Sequence, residues 1–294
     1  MTAATPIDSA WIAAHPAPVH ARDATTKNSR GRVLAIGGSR MVPGALRLTG
    51  EAALRAGAGK LQLATIASVA PGMGLLVPEA GIVMLAEDAD GEPVATATPP
   101  LEQALKTCDT VIVGPGIGTT AAADALLATV LARLGDEQTL LIDAQAIGGM
   151  AARKAELAAC AGRLVLTPHH GEMAMLTGQD VEEIAADPAR IACGVAADYG
   201  AVVVLKGGDT VIAAPDGTLL HYGGGGIGLA TAGSGDVLAG AIGGLLSRGA
   251  TPLIAAGWGV WLHGQGGRRV ATTAGPVGFL ARELPSEFPR LLPQ

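Results

Sequence analysis

Short apolar runs alternate with longer segments of helical periodicity along most of the chain. The runs are nearly continuous rather than alternating apolar and polar, which is typical of strands covered on both faces of a parallel sheet. They predict strands at Arg32–Ile36, Leu61–Thr65, Gly81–Leu85, Thr110–Val113, Thr139–Ile142, Leu164–Leu166 and Val202–Leu205. Alternating strands and helices favour an α/β fold, an open and mostly parallel sheet flanked by helices.

Helix signals lie between the predicted strands. Pro43 opens a segment rich in alanine and leucine that ends near Gly57, because proline is favoured at a helix start and glycine at its end. Asp180 and Glu183 have the spacing of a capping box, in which two side chains satisfy free amides at a helix start.

The pattern changes after the last predicted parallel strand. Thr210–Ala213 and Thr218–His221, joined by a Pro-Asp-Gly turn, predict an antiparallel hairpin at the edge of the sheet. No shift in composition marks a second domain. We therefore predict an N-terminal tail over residues 1–26, partly disordered, and a single α/β domain over residues 27–294.

Length and charge limit the class of ligand. The 294 residues, 49% of them hydrophobic, are enough for a sizeable core. A formal net charge of -6 argues against a nucleic-acid partner, which calls for a basic surface. A small anionic ligand remains compatible with that charge, because backbone amides alone can hold a phosphate.

The cysteines and the apolar segments indicate a cytoplasmic protein. Cys108, Cys160 and Cys193 have no CxxC spacing, so we interpret them as free thiols in a reducing compartment. The first 32 residues contain no apolar core of a secretory signal. Residues 223–246 are crowded with glycine and interrupted by an aspartate, so we predict neither a membrane span nor a membrane partner.

Glycine or polar clusters follow strand after strand. They are Gly37–Ser39, Gly114–Gly118, Asp143–Gln145, Thr167–Glu172 and Lys206–Thr210. In an open parallel sheet, ligands bind beyond the carboxyl ends of the strands. Glycines that only turn the chain would account for one such cluster, whereas several together predict one shared crevice.

The most glycine-rich segment, GGGGIGLATAGSGD, ends at Asp236, and apolar residues at helical spacing follow it. A helix beginning near Gly235 would present free amides and the positive end of its dipole to an anion. Gly233, Ser234 and Gly235 would let phosphoryl oxygens approach the backbone. Asp236 either complements the dipole or serves as a general base, and its place at the end of an anion loop favours the base.

Other templates for phosphate and metal chemistry do not match. No segment has the Walker pattern, and no His/Cys set has metal-ligand spacing, so we predict no metal held by protein side chains. His169 and His170 are adjacent, so only one is expected to face the crevice. His263, in an apolar segment, is interpreted as a core or interface residue. Lys206 follows a buried strand and either pairs with a phosphate or lies at an exposed strand end.

Five ordered segments carry a family resemblance. They are VLAIGGSRMVPGALRLTGEAALRAGAGKLQLAT, VGPGIG, TPHHGEMAMLTG, LKGGDTVI and LATAGSGDVLAG, between about Lys27 and about Gly275. Together they resemble the ADP/ATP-dependent NAD(P)H-hydrate dehydratases, members of the ribokinase-like superfamily. GSGD marks the superfamily, and TPHHGE with the IGGS segment is more specific. The resemblance implies a lyase of nicotinamide nucleotide repair, which uses ADP (or ATP) and Mg²⁺ to dehydrate the S epimer of hydrated NADH or NADPH.

The resemblance also implies roles for individual residues. The adenine nucleotide would contact Lys206, Gly207, Gly208, Asp209, Thr210 and Gly235. The hydrated dinucleotide would contact Ala45, Gly116, His169 and Asp236. Asp236 would accept the hydroxyl proton during phosphoryl transfer, while the amides of Gly233, Ser234 and Gly235 stabilise the transferring group.

Three positions depart from the family pattern. His170 stands in place of proline, Gly226-Ile227-Gly228 in place of Asn-Pro-Gly, and Gln145 in place of a commoner residue. The resemblance further implies a homo-oligomer, a homotetramer, and a functional partner in a separate NAD(P)H-hydrate epimerase, since the chain is too short to include that domain.

Two other functions are compatible with the GSGD loop. One is a ribokinase-like kinase of a small vitamin-precursor alcohol, and the other is a catalytically silent nucleotide-binding module. The TPHHGE cluster favours the dehydratase over the kinase, and the presence of Asp236 disfavours the silent module.

Overall fold

The computed structural model describes residues 4–18 and 26–293. Its strands are β1 (Thr5–Pro6), β2 (Arg32–Ile36), β3 (Lys60–Ile66), β4 (Ala80–Leu85), β5 (Thr110–Val113), β6 (Thr139–Ile142), β7 (Leu164–Leu166), β8 (Ala201–Leu205), β9 (Thr210–Ala213) and β10 (Leu219–Tyr222). They form one 10-stranded sheet in the order β1-β10-β9-β8-β7-β6-β5-β2-β3-β4. Strands β2 to β8 pair with one another in parallel, whereas β9 pairs antiparallel with β8 and β10. The predicted fold class is confirmed.

The antiparallel hairpin is not the outermost part of the sheet. The short strand β1 adds to the free side of β10 in parallel register, with Thr5 opposite Leu220. The helix that follows buries Trp11 in the core. Residues 4–18 of the predicted tail therefore pack on the domain, and residues 19–25 lie outside the described part of the chain.

Helices cover both faces of the sheet. They are α1 (Ser9–Ala14), α2 (Pro43–Arg55), α3 (Ala70–Leu76), α4 (Pro99–Thr107), α5 (Thr120–Leu131), α6 (Gln145–Gly149), α7 (Lys154–Leu157), α8 (His170–Thr177), α9 (Val181–Ala186), α10 (Pro188–Tyr199), α11 (Ser234–Ser247), α12 (Pro252–Ala274) and α13 (Phe288–Leu291). Short 3₁₀ segments at 150–153, 158–160, 227–229 and 281–287 complete the connections.

Alternation along each strand builds two separate cores. On β2, Val33 and Ala35 face the core shared with α2, α11 and α12. Leu34 and Ile36 face the other core, against α4, α5 and α10. Because both faces are buried, the strands read as continuous apolar runs, and this is why their bounds could be predicted closely.

Close helix packing fixes the position of α11. A Cβ on Gly240 would lie 2.1 Å from the carbonyl oxygen of Thr49 on α2, so only glycine allows this approach. Helix α11 also packs along α12. Its N-terminus is thereby held above the carboxyl ends of the central strands.

The predicted capping box at Asp180 is wrong. Asp180 is the residue before α9, but its side chain makes no hydrogen bond to the helix amides. The carboxylate is exposed, so water competes for it.

Among the described residues, no helix is both long and apolar enough to cross a bilayer.

Candidate active site

The strand-end clusters meet along one edge of the sheet. Strands β8, β7, β6, β5 and β2 are consecutive parallel neighbours, so their carboxyl ends lie side by side. Backbone hydrogen bonds connect the clusters: the Ser39 amide donates to the Gly116 carbonyl at 2.7 Å, and the Lys206 amide donates to the Pro168 carbonyl at 2.8 Å. The predicted shared crevice is therefore present.

An anion-binding loop lies above this edge. Gly233 has φ 86°, a left-handed conformation that glycine adopts without strain, and α11 begins at the next residue. The amides of Gly235 and Asp236 have no hydrogen-bond acceptor among the described residues. Two free amides at the positive end of a 14-residue helix form a site for phosphoryl oxygens.

A network of charges lies beneath the loop. The ammonium group of Lys206 is 3.0 Å from Asp143 Oδ1 and 3.6 Å from Glu172 Oε2. Thr167 donates a second hydrogen bond to Asp143 Oδ1 at 2.7 Å. A Cβ on Gly235 would lie 3.3 Å from Lys206 Nζ, so the ammonium group reaches the first turn of α11.

The backbone after Asp143 is strained. Ala144 has φ 52°, and it is the one non-glycine residue with a positive φ in the described ranges. Such a conformation costs about 1–3 kcal/mol and persists only where the surroundings enforce it. Here it turns the chain sharply from β6 into α6, and Asp143 is left buried at the strand end.

The environment of Asp236 favours the neutral carboxyl. Burial raises the pKa of Asp236 to about 7, Asp143 and Glu172 contribute to the rise, and Lys206 opposes it. A carboxylate with a pKa near neutrality can accept and release a proton at physiological pH. The general-base interpretation of Asp236 is thus favoured over a simple helix-dipole role.

Lys206 and the carboxylates of Asp143 and Glu172 stabilise one another in their charged forms. Burial alone would lower the pKa of Lys206, but Asp143 and Glu172 raise it, so the ammonium form persists. Burial raises the pKa of Glu172, and Lys206 opposes that rise. Lys206 is therefore not an exposed strand end, because its Nζ lies between two carboxylates and its side chain is only 19% exposed. Its contact with a phosphate stays a prediction.

The two adjacent histidines have different surroundings. His169 precedes α8, and its Nδ1 accepts a hydrogen bond from the Glu172 amide at 3.1 Å while Glu172 accepts one from the His169 amide at 2.7 Å. His169 also lines a pocket of about 840 Å³. His170 lies against Gly207, where a Cβ would be 3.4 Å from His170 Nε2, and it is not part of the lining.

His263, which we interpreted as a core or interface residue, also faces the crevice. It lies on α12 in the wall of the pocket, and its Nε2 is 2.8 Å from Ser234 Oγ in the anion loop. Burial lowers the pKa of His263 to about 4, and Lys206 contributes to the drop, so the imidazole is neutral. Only the packing of α11 on α12 brings this histidine to the loop, and a local sequence pattern contains no signal of it.

The predicted nucleotide residues and two of the predicted dinucleotide residues lie in different parts of the crevice. A pocket of about 840 Å³ contains the predicted nucleotide residues, namely Lys206, Gly207, Gly208, Asp209, Thr210 and Gly235, together with Ser234. Ala45 and Gly116 lie outside that pocket and adjoin each other, since a Cβ on Gly116 would be 3.0 Å from Ala45 Cβ. Leu48, one turn after Ala45 on α2, would contact a Cβ on Gly233 at 2.4 Å.

The departures from the family pattern have local structural partners. Gln145 Oε1 accepts a hydrogen bond from Thr120 Oγ1 at 3.1 Å, which directs the amide toward α5. Gly228 has no room for a side chain, because a Cβ would lie 2.3 Å from the ring of Phe279. Ile227 between the two glycines is 70% exposed at the rim of the pocket.

The cysteines are not part of this site. Cys108, Cys160 and Cys193 are free thiols. Burial raises the pKa of Cys108 to about 12, which leaves the thiol unreactive.

The sheet order, the glycine-rich helix N-terminus and the buried carboxylate define an enzyme of the ribokinase-like superfamily. The model of the NAD(P)H-hydrate dehydratase family matches residues 33–290, and the chain belongs to that family.

Three relatives illustrate the similarity. The chain is 46% identical to the ADP-dependent (S)-NAD(P)H-hydrate dehydratase of Xanthomonas campestris pv. campestris, covering 97% of this chain and 95% of that protein. It is 38% identical to the bifunctional NAD(P)H-hydrate repair enzyme Nnr of Moorella thermoacetica, covering 90% of this chain and 50% of that protein. The structure of the Bacillus subtilis ADP/ATP-dependent NAD(P)H-hydrate dehydratase co-crystallised with ATP/Mg²⁺ has a TM-score of 0.83 and 30% identity, covering 99% and 98% of the two chains.

Proposed function

We propose that the chain catalyses ADP-dependent dehydration of the S epimer of hydrated NADH or NADPH, which restores the reduced nicotinamide. The observation that supports it most directly is the place of Asp236. This carboxyl group, with a pKa raised to about 7 by burial, lies beside two free amides at the start of α11. A base and an anion site are thus combined at one point between two ligand surfaces.

The two surfaces suit different ligands. The pocket of about 840 Å³ has the size of a nucleotide site and is lined by backbone of the Lys206–Thr210 loop. The hydrated dinucleotide would lie along Ala45 and Gly116, with its ring hydroxyl at Asp236. His169, which the resemblance assigns to the dinucleotide, lines the nucleotide pocket and would contact both ligands only at their junction.

Asp236 would accept the proton of the ring hydroxyl as the hydroxyl oxygen attacks the terminal phosphorus of ADP. AMP leaves, and the free amides of Gly235 and Asp236 hold the phosphoryl oxygens during transfer. Loss of phosphate from the ring, with a proton from the neighbouring carbon, restores the double bond. Phosphate is a better leaving group than hydroxide, which is why a nucleotide is consumed.

Mg²⁺ would enter with the nucleotide phosphates. Among the described residues, no group of three or more His, Cys, Asp or Glu side chains is arranged to hold a metal ion. A magnesium ion that keeps its waters and binds mainly through the nucleotide phosphates fits this arrangement. The ion would neutralise charge on the transferring phosphoryl group.

We also propose that the chain acts as a homotetramer in the cytoplasm and that a separate NAD(P)H-hydrate epimerase supplies its S epimer. The bifunctional repair enzyme of Moorella thermoacetica, of which the chain spans half, supports a functional link between two such activities. The Xanthomonas campestris relative, whose name refers to the dehydratase alone, is covered over 95% of its length.

The direct test is the near-ultraviolet absorbance of reduced nicotinamide. Purified protein is mixed with acid-hydrated NADH and Mg²⁺, together with ADP, ATP or no nucleotide. We expect absorbance to rise only with a nucleotide, and more with ADP than with ATP. No rise with either nucleotide, on protein that binds ADP, would favour the small-molecule kinase, and ADP binding without any reaction on alcohol substrates would favour the silent module.

The wild-type pH profile provides a second test. Because Asp236 acts as a base, it must be ionised, and its pKa is about 7. We therefore expect the turnover number to rise with pH on an acidic limb whose midpoint lies near 7, far above the pKa of an ordinary aspartate. A limb with a midpoint near 4 would contradict this environment for the base.

A further inference from the structure

The pair formed by His263 and Ser234 is not accounted for by the family motifs. His263 lies on α12, 29 residues after Ser234, and joins it through a contact of 2.8 Å between Nε2 and Oγ. Ser234 is 6% exposed and is the one residue of the GSGD loop whose hydroxyl can form such a bond. Both residues line the nucleotide pocket.

The pair retains one hydrogen-bond donor for a ligand. A neutral imidazole has one N–H, and serine has one O–H. One of these two hydrogens forms the bond between the residues, so one donor remains in either tautomer. Because Nε2 is the ring atom that contacts Ser234, the remaining donor is Nδ1–H in one tautomer and the Ser234 hydroxyl in the other.

We propose that His263 and Ser234 act as one neutral donor unit that binds an oxygen atom of the adenine nucleotide. The pocket wall favours the nucleotide over the dinucleotide, because the lining includes the Lys206–Thr210 loop but neither Ala45 nor Gly116. This inference deepens the proposed function and rests on it for the identity of the nucleotide.

Neutrality of the pair protects the base. A cationic imidazole bonded to Ser234 would lie two residues from Asp236 and would favour its ionised form, which weakens it as a base. Burial lowers the pKa of His263, so the ring is neutral and adds no positive charge near Asp236. A neutral donor can thus bind the nucleotide without changing the proton affinity of Asp236.

The test measures ADP affinity by calorimetry, independently of turnover. His263→Leu removes both ring nitrogens, Ser234→Ala removes the hydroxyl, and His263→Gln retains an amide able to reach Ser234. We expect ADP to bind about tenfold or more weakly to His263→Leu and to Ser234→Ala, and His263→Gln to restore part of that loss. The double variant Ser234→Ala/His263→Leu should be no weaker than the weaker single variant, because the pair acts as a unit.

Thr272→Ala, on the exposed face of the same helix, is the matched control and should bind ADP like the wild type. The KM for the hydrated dinucleotide should change little in all these variants. Wild-type affinity for ADP in folded His263→Leu, or losses that multiply in the double variant, would overturn the proposal. If His263→Leu does not fold, His263→Gln and Ser234→Ala decide it by the same criteria. Wild-type protein that binds ADP but fails to dehydrate its substrate would instead contradict the proposed function.

Discussion

Asp236→Asn should abolish turnover while ADP binding survives. Asparagine has nearly the same shape but cannot accept the hydroxyl proton, and loss of a general base costs about 100-fold to 10,000-fold. The amides of Gly235 and Asp236 belong to the backbone, so the anion site is retained. The measurement is the turnover number with hydrated NADH, beside the Kd for ADP, which should stay within about threefold.

The same variant should also be more stable at alkaline pH. The folded-state pKa of Asp236, about 7, exceeds the ordinary value of 3.8. As pH rises between those values, the unfolded chain ionises this group more readily than the folded chain, so the wild type loses stability. Asparagine avoids that cost. We expect the Tm of Asp236→Asn to exceed that of the wild type at pH 8, by a margin that shrinks toward pH 5. Turnover near the wild-type rate, or a lower Tm at pH 8, would contradict the assignment of Asp236 as a partly buried base.

The bounds of the central strands could be predicted closely because they depend on the local sequence. Strands buried on both faces must be apolar throughout, and glycine or polar residues must follow them, so β2, β5, β6, β7 and β9 begin and end where the sequence predicts. Strand β1 was missed, since two residues preceded by a polar tail have no periodicity. Its pairing with β10 depends on a contact more than 200 residues away along the chain.

The candidate site was only partly predictable. The GSGD loop and the Lys206–Thr210 loop are each a continuous stretch of sequence. Their residues lie in or beside one pocket. The charge network is not contiguous, because Asp143 and Lys206 follow β6 and β8 whereas Glu172 lies in the first turn of α8. The sequence indicates that each residue follows a strand, but the distances that pair the lysine with both carboxylates depend on strand order and on the strained turn at Ala144.

Lys206→Met should reduce turnover mainly through Asp236. Lys206 opposes the rise in the pKa of Asp236, while Asp143 and Glu172 promote it. Without the ammonium group, the pKa of Asp236 moves above about 7, and less of the base is ionised at neutral pH. We expect turnover at pH 7 to fall by roughly tenfold or more, and the acidic limb of the pH profile to shift to higher pH.

The pH profile separates this role from the direct nucleotide contact that the family resemblance implies. If Lys206 mainly binds the nucleotide, Lys206→Met should raise the Kd for ADP and leave the acidic limb in place. If it mainly sets the charge of the site, the limb should move and much of the lost rate should return at higher pH. The variant should also lose about 3–5 kcal/mol of stability, since two buried carboxylates lose their cation. Lys106→Met, an exposed lysine at the end of α4, is the matched control and should change neither rate nor stability.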